Sequence, residues 1–460
     1  MFKIKAIHKP TAVESFLLVI GIIILISVSI IKFESVPHLP ILFSILLLIA
    51  YGLTKKIPFK HLEKGLIDGA GAGMGAVFLF FFIGILISSW MIGGTIPTLI
   101  YTGFQLITPT FFFAIVFVVT AIVGISIGSS LTTVATVGVA FIGMAHVLDL
   151  SLPIAAGAIV SGAFFGDKMS PLSDTTNLAS SIVGVDLFEH IRNMGWTTVP
   201  AFFLSLLLFG ILSPGAKKDD FEQIALFQNT LLETNMIHWY AIIPLILLFV
   251  LTIKKVPALL TLAISSAVAV IISFFHQSFA ISEVLEILFF GFKSTTGVAD
   301  VDALLSRGGV ESMMATVGLV LLALSMGGLL FTLGIVQTLL AKIEMLLKKV
   351  SSVIMASALT AIGINVMIGE QYLSILLTGQ AFQSQYEKVG LANKNLSRVM
   401  EDAGTVVNPL VPWSVCGIFI TDVLNVSTIS YLPFAFFCLL SPILTVMFGY
   451  MGKTLTRIPS

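Results

Sequence analysis

The sequence predicts an all-α, polytopic membrane protein that is made of two inverted repeats. Three observations lead to this prediction: the composition, an internal repeat with an offset of about 240 residues, and polar motifs that interrupt apolar runs at matching places. Of the 460 residues, 57% are hydrophobic and 10% are charged, and the mean hydropathy is +1.07. Soluble domains carry roughly 25% charged residues. The composition therefore excludes an ordinary globular protein and indicates many membrane-spanning helices.

Lysine positions predict the orientation, because cytoplasmic loops carry an excess of basic residues. Lys3, Lys5 and Lys9 place the N-terminus in the cytoplasm, and a second basic cluster follows at 54–64. The acidic segment 216–237 is expected on the opposite side as a connecting loop. We thus expect a first repeat over 1–215, a second over 238–460, and both termini in the cytoplasm.

The two halves align at a nearly constant offset. Gly75–Ile100 matches Ala315–Leu340 without gaps, and Ser170-Pro171 later falls on Asn408-Pro409. The predicted orientation requires an odd number of crossings between the repeats, so the second copy is inverted. Inverted repeats with paired broken helices are typical of secondary transporters, whose site lies where the two breaks meet.

The run from Gly166 to Asn177 is the most informative polar motif. It places two carboxylates, a lysine, hydroxyls and an amide between apolar segments, where ionised groups are costly and indicate function. Pro171 breaks the helix and frees carbonyl oxygens. Oxygen ligands of these kinds suit a hard cation such as sodium. The predicted ion-binding or proton-binding residues of this motif are Asp167, Asp174, Thr175, Thr176 and Asn177, and Lys168 either neutralises a carboxylate or faces solvent.

A glycine-rich and hydroxyl-rich element precedes this motif at 124–133. Glycine and hydroxyl side chains suit the tip of a re-entrant hairpin, although small residues also serve ordinary helix packing. Its candidate site residues are Ser129, Ser130, Thr132 and Thr133. In the second half, Glu370 aligns with Ser129 and is interpreted either as a proton-carrying group or as a packing residue held neutral.

The last polar element runs from Arg398 to Ser414. Glu401 and Asp402 are adjacent and point in different directions on a helix. We expect Asp402 to join Asp167 and Asp174 around sodium, while Glu401 pairs with Arg398. Asn408, next to the proline of the second break, completes the candidate set.

Several kinds of function lack support in the sequence. There is no His-Glu-x-x-His and no phosphate-binding glycine loop, so a metal-dependent hydrolase or an ATP-driven pump is not indicated. We expect a transporter without a cofactor rather than an enzyme. The formal net charge is zero, which suggests no nucleic-acid partner.

The stretch Gly166–Ala179 resembles a signature of the NhaC family of bacterial sodium/proton antiporters, and Glu401–Trp413 is similar to the second signature of that family. The resemblance covers nearly the full length. It implies a multi-pass carrier of the bacterial cytoplasmic (inner) membrane, with two re-entrant hairpins and two broken helices around the ion site. Some family members instead exchange malate and protons for sodium and lactate.

We therefore expect an antiporter in which sodium and protons compete for buried carboxylates. Desolvation and a neighbouring negative charge both favour a protonated carboxyl group, which brings protons into that competition. A sodium-coupled organic-acid exchanger is the alternative, and a cation channel a lesser one. The expected partners are sodium, protons, an organic acid in the alternative, and the lipid bilayer, with a homodimer left open.

Overall fold

The computed structural model confirms an all-α protein. Apart from an isolated bridge between Leu391 and Arg457, the regular elements of the described chain are helices. The structure describes residues 6–33, 35–106, 110–213, 227–298, 301–302, 305–344 and 349–458. The α-helices are Ala12–Phe33, His38–Thr54, Phe59–Ala72, Met74–Ile92, Thr95–Leu106, Phe112–Ile127, Ser130–Thr133, Val139–Val147, Leu152–Met169, Asp174–Ile182, Leu187–Leu212, Ile243–Ile253, Ala258–Ser273, Ile281–Phe290, Met314–Thr332, Ile335–Glu344, Val350–Ile368, Gln371–Lys388, Asn393–Val399, Val415–Leu424, Thr428–Tyr431 and Phe436–Met451.

The helices confirm a multi-pass membrane protein. Within the described residues, 6 helices are long and apolar enough to cross a membrane, and two bent pairs bring the number to 8. Four further apolar helices are shorter: His38–Thr54, Phe112–Ile127, Trp239–Ile253 and Ala258–Ser273. Short and interrupted apolar helices are what the polar motifs in the sequence predict.

Two helical hairpins have tips of the same local structure. The first hairpin, Phe112–Val147, turns at Gly128, whose φ is +69°; the second, Val350–Lys388, turns at Gly369, whose φ is +77°. Glycine suits both positions because a side chain disfavours positive φ. The residue after each glycine then caps the following helix: Ser129 accepts a hydrogen bond from Thr132 N, and Glu370 accepts one from Leu373 N.

Two broken helices accompany the hairpins. The first consists of Leu152–Met169 and Asp174–Ile182, and Ser173 caps its second half. The second consists of Asn393–Leu410 and Val415–Leu424, bent by 45°, and Ser414 caps its second half. Proline interrupts both helices, because it lacks the backbone donor that a continuous helix needs.

These matched tips and breaks agree with the repeat seen in the sequence, and the inverted orientation of its second copy stays a prediction. Of the predicted connecting loop 216–237, the part 216–226 lies outside the described residues. Residues 227–233 form a short helix.

The first hairpin and the first broken helix pack at backbone distance. A Cβ atom on Gly166 would lie 2.5 Å from the Cα of Gly124, which is far inside normal contact. We expect Gly166→Ala to destabilise the protein by about 1–3 kcal/mol, because overpacking moves backbone. Gly195→Ala is the matched control, since its added Cβ meets no atom within 4 Å. Thermal unfolding in detergent separates the two variants, and equal midpoints would contradict this packing argument.

Candidate functional site

A polar cavity lies where the tip of the first hairpin meets the break of the first broken helix. We call it the cation cavity; its volume is about 350 Å³. Its wall also includes the loop before Ala258–Ser273 and the start of Gln371–Lys388. The polar and charged residues that line it are Ser129, Ser130, Thr132, Asp167, Asp174, Thr175, Asn177, Thr252, Lys255, Thr261, Gln371 and Tyr372.

Asp167 is fixed by the hairpin tip. Its side chain is only 4% exposed, and one carboxylate oxygen accepts hydrogen bonds from Ser130 N at 3.2 Å and Ser130 Oγ at 2.8 Å. Ser130 begins the helix that leaves the tip, so its positive dipole end faces the carboxylate. The hairpin tip therefore stabilises an ionised Asp167.

Asp174 is the second carboxylate of the cation cavity. It is the first residue of the second half of the first broken helix and is exposed in the structure. It forms no hydrogen bond or ion pair through its side chain with any residue that the structure describes. Asp167 and Asp174 interact electrostatically across the cavity. Two carboxylates on one cavity attract either one cation or protons.

Other predicted residues hold the break in shape. Asn177 Nδ2 donates to Pro171 O at 3.0 Å and to Ser173 O at 2.7 Å. Thr176 Oγ1 donates to Lys168 O at 3.2 Å. These bonds satisfy carbonyl groups that the broken helix leaves free. Asn177 thus lines the cavity and supports its backbone, whereas Thr176 is a supporting residue.

Lys168 and Asp402 form a buried ion pair that joins the two broken helices. Both side chains have no solvent exposure. Thr197 Oγ1 donates to Asp402 Oδ2 at 2.8 Å, and the Lys168 ammonium lies 5.6 Å from the centroid of the Phe437 ring. A charge-assisted pair with further hydrogen bonds offsets the desolvation of both ions.

This pair corrects the expected grouping of Asp402 with Asp167 and Asp174 around one sodium ion. Asp402 is not part of the wall of the cation cavity, because Lys168 and Thr197 occupy its oxygens. Within the described ranges, no three His, Cys, Asp or Glu side chains converge on a point that could hold a metal ion. The cavity therefore has two carboxylates, and Asp402 neutralises Lys168 beside it.

The expected pair of Glu401 with Arg398 is also corrected. Arg398 Nη1 donates to Thr454 O at 3.2 Å instead. Both carboxyl oxygens of Glu401 are buried and have no hydrogen-bond partner among the described residues. The two residues lie where Asn393–Val399 passes into a π-helical turn over Met400–Thr405, so the spacing of an ordinary α-helix does not apply.

The second hairpin approaches the cation cavity from the other half of the chain. Gln371 and Tyr372 line the cavity, whereas Glu370 caps the helix that follows, with Leu373 N donating to its carboxylate at 2.7 Å. Thr133, in the first hairpin, is likewise structural, since its Oγ1 donates to Ser129 O at 2.8 Å.

Asn408 links the second broken helix to the second hairpin. Its Nδ2 donates to Asn365 Oδ1 at 2.9 Å, and its Oδ1 accepts from Cys416 N at 3.0 Å. Asn365 in turn donates to Gly404 O at 2.6 Å. These amides satisfy the backbone of the break, so Asn408 is a supporting residue in this structure.

Sequence reasoning missed four residues of the site region. Gln371 and Tyr372 directly follow the candidate residue Glu370, so their position next to it could have indicated that they line the cavity. Lys255 lies in the short basic pair Lys254-Lys255, which in the sequence gives no sign of a cavity. Thr197 lies in the long helix Leu187–Leu212, and nothing near it in the sequence indicates a bond to Asp402.

Comparison with known proteins places this geometry in context. The model of the Na+/H+ antiporter family matches residues 162–453. The chain is 40% identical over 449 residues to the Na(+)/H(+) antiporter NhaC of Alkalihalophilus pseudofirmus, covering 97% of both chains. It is 37% identical to the NhaC of Bacillus subtilis, covering 91% of this chain and 93% of the relative. It is 32% identical to the malate-2H(+)/Na(+)-lactate antiporter of Bacillus subtilis, covering 98% and 96%.

Proposed function

Because the chain belongs to the Na+/H+ antiporter family, we propose that it is a secondary active antiporter that exchanges sodium for protons across the membrane. It is a transporter and not an enzyme. The observation that carries the proposal is the pair of carboxylates, Asp167 and Asp174, on one cavity at the break of a helix.

Competition for this cavity supplies the coupling. Sodium bound between Asp167 and Asp174 replaces their protons, and protons binding to the same oxygens displace sodium. A site that holds sodium or protons carries less charge than a bare site with two ionised carboxylates. Moving uncompensated charge through an apolar region is costly. A site that holds sodium or protons therefore changes its exposure from one side of the membrane to the other, and a bare site does not. One site that changes its exposure thereby exchanges the two ions.

The Lys168–Asp402 pair keeps its own charge balanced during this exchange. Each partner neutralises the other, so the pair adds no net charge to the cation cavity. We assign it a positioning role: it ties the first broken helix to the second next to the site. Transported sodium and protons are then handled by Asp167 and Asp174 alone, with no cofactor required.

One exposed residue of the cavity wall, Lys255, indicates which side of the membrane the cavity faces. Lys255 lines the cavity and belongs to a basic loop that the positive-inside rule places in the cytoplasm. We therefore infer that the cavity faces the cytoplasm of a bacterial cell, with both termini on the same side. Movement of one inverted repeat against the other would close the cavity on this side and open it on the other.

Ser130 should set how well sodium competes with protons. Ser130→Ala removes the Oγ donor of Asp167, a hydrogen bond to a charged group worth about 1.5–3 kcal/mol. The ionised form loses support, so we expect the KM for sodium to rise by roughly tenfold or more, most strongly at low pH. Ser126→Ala, which removes a hydroxyl bonded to Ile122 O at 2.9 Å, is the matched control. An unchanged KM in Ser130→Ala would contradict this role.

Organic-acid exchange is the second candidate function. It is favoured by the malate/lactate relative and by Lys255, a cation on the cavity wall that could pair with a carboxylate. Lys168 pairs with Asp402, and Arg398 donates to Thr454 O. Neither side chain lies ready to bind a substrate carboxylate, which favours exchange of sodium for protons without an organic acid.

Reconstitution in proteoliposomes tests the proposed function. An imposed sodium gradient should drive proton movement in the opposite direction without added organic acid. Counterflow of labelled malate or lactate, together with no sodium-driven proton movement in their absence, would replace the proposal with organic-acid exchange.

A further inference from the structure

A second polar cavity lies beyond the cation cavity. Its volume is about 330 Å³. Both halves of the chain contribute to its wall, and its charged residues are Arg307 and Asp422. Ile87 and Val139 line it from the first half, and Asn425 lines it from the second.

The two cavities lie along the same helices. On Met74–Ile92, Leu79 and Ile83 line the cation cavity and Ile87 lines the second one. Four residues of α-helix rise about 6 Å, so roughly one helical turn separates the cavity walls. On Val415–Leu424, Cys416 contacts Gln371 of the cation cavity, whereas Asp422 lines the second cavity.

A stacked aromatic pair joins the two helices that the cavities share. Phe80 and Phe419 stack with ring centroids 5.0 Å apart and an interplanar angle of 15°, and both are fully buried. Phe80 lies between Leu79 and Ile83 in the chain, and Phe419 lies between Cys416 and Asp422. The stack thus fills the contact between the two helices with apolar groups, through which a hydrated ion does not pass.

The second cavity lies toward the face opposite Lys255. Beyond Ile87, the helix ends at Ile92, whose carbonyl contacts His276 Nε2 at 3.0 Å. Gly94 follows and packs against Met236 O, so that an added Cβ would lie 2.1 Å from it. Met236 belongs to the segment that the charge pattern places outside the cell.

Asp422 gives the second cavity its chemistry. It is exposed, and its carboxylate forms no hydrogen bond or ion pair with a residue in the described part of the chain. Arg307 Nη1 donates to Val423 O at 3.4 Å and does not pair with Asp422. Since Arg307 donates to a backbone carbonyl, the Asp422 carboxylate is the acidic group of this cavity that an incoming cation can approach.

We propose that this second cavity is a capture site for monovalent cations on the outer face, with Asp422 as its acidic residue and the Phe80–Phe419 stack as the closed barrier to the cation cavity. The proposal rests on the proposed exchange function. It places the outer half of the transport path on the walls formed by Met74–Ile92 and Val415–Leu424.

Thiol labelling tests the placement of both cavities. In a Cys416→Ala, Cys438→Ala background, Asn425→Cys reports the second cavity and Ala258→Cys reports the cation cavity. A membrane-impermeant maleimide should label Asn425→Cys in right-side-out vesicles and Ala258→Cys in inside-out vesicles. Labelling of both from one side, or no labelling of Asn425→Cys from either, would overturn the placement. This readout needs no transport activity, so it is separate from a failure of the exchange function.

Sodium-driven proton movement tests the role of Asp422. With sodium supplied outside, we expect Asp422→Asn to raise the KM for sodium several-fold while kcat is retained, since high sodium replaces electrostatic capture. Asp149→Asn, an exposed carboxylate on the turn after the helix that carries Val139, is the matched control. A KM for Asp422→Asn equal to that of the control would overturn the role.

Discussion

Asp167→Asn should abolish sodium-driven proton movement in proteoliposomes, and Asp174→Asn should do the same. Asparagine keeps the size of the side chain, but it does not bind a proton near neutral pH and carries no negative charge. Each substitution removes one of the two negative charges that would hold sodium, and the loss of a contact to a charged group costs about 1.5–3 kcal/mol, which corresponds to an affinity loss of roughly ten- to a hundredfold.

The measurement compares both variants with Asp149→Asn, which changes an exposed carboxylate away from the cavity. Equal folding of the three proteins is checked by their thermal unfolding, and equal reconstitution by the amount of protein in the liposomes. Retained exchange in both Asp167→Asn and Asp174→Asn would remove these carboxylates from the coupling mechanism.

Lys168→Met should destabilise the protein by about 3–5 kcal/mol, because it leaves Asp402 as an uncompensated buried charge. The double variant Lys168→Met, Asp402→Leu removes both charges and should recover much of that stability. The matched control is Lys394→Met. Lys394 pairs with Glu189 at 2.8 Å near the surface, with side chains 21% and 52% exposed, so its loss should cost about 1 kcal/mol or less.

Thermal unfolding in detergent provides the comparison for this ion pair. If Lys168→Met and Lys394→Met shift the midpoint equally, the buried pair does not stabilise the contact between the broken helices. If the double variant is stable and still exchanges ions, Asp402 has no direct role in transport.

The fold was predictable because membrane helices leave a strong signal in composition. The hairpin tips were also predictable, since the positive φ of Gly128 and Gly369 requires residues of the type that the sequence provides. Asp167 and Asp174 were predicted as site residues because ionised groups are costly in an apolar chain, and the structure places both on one cavity.

Pairings between distant residues were harder to predict. Asp402 was grouped with Asp167 from charge alone, but Lys168 lies next to Asp167 in the chain and reaches Asp402 instead. Sequence gives no distance between the two broken helices, so it could not decide between these partners. The bond from Thr197 to Asp402 and the contribution of Tyr372 to the cavity wall likewise depend on helix packing.

Proton release on sodium binding tests the central claim most directly. Sodium chloride is added to the purified protein in detergent and weakly buffered solution, and a pH indicator records released protons, with choline chloride as the control salt. If sodium and protons compete for Asp167 and Asp174, sodium releases protons from the wild type and releases none from the Asp167→Asn, Asp174→Asn double variant. Sodium binding without proton release, or equal release from the double variant, would contradict the account.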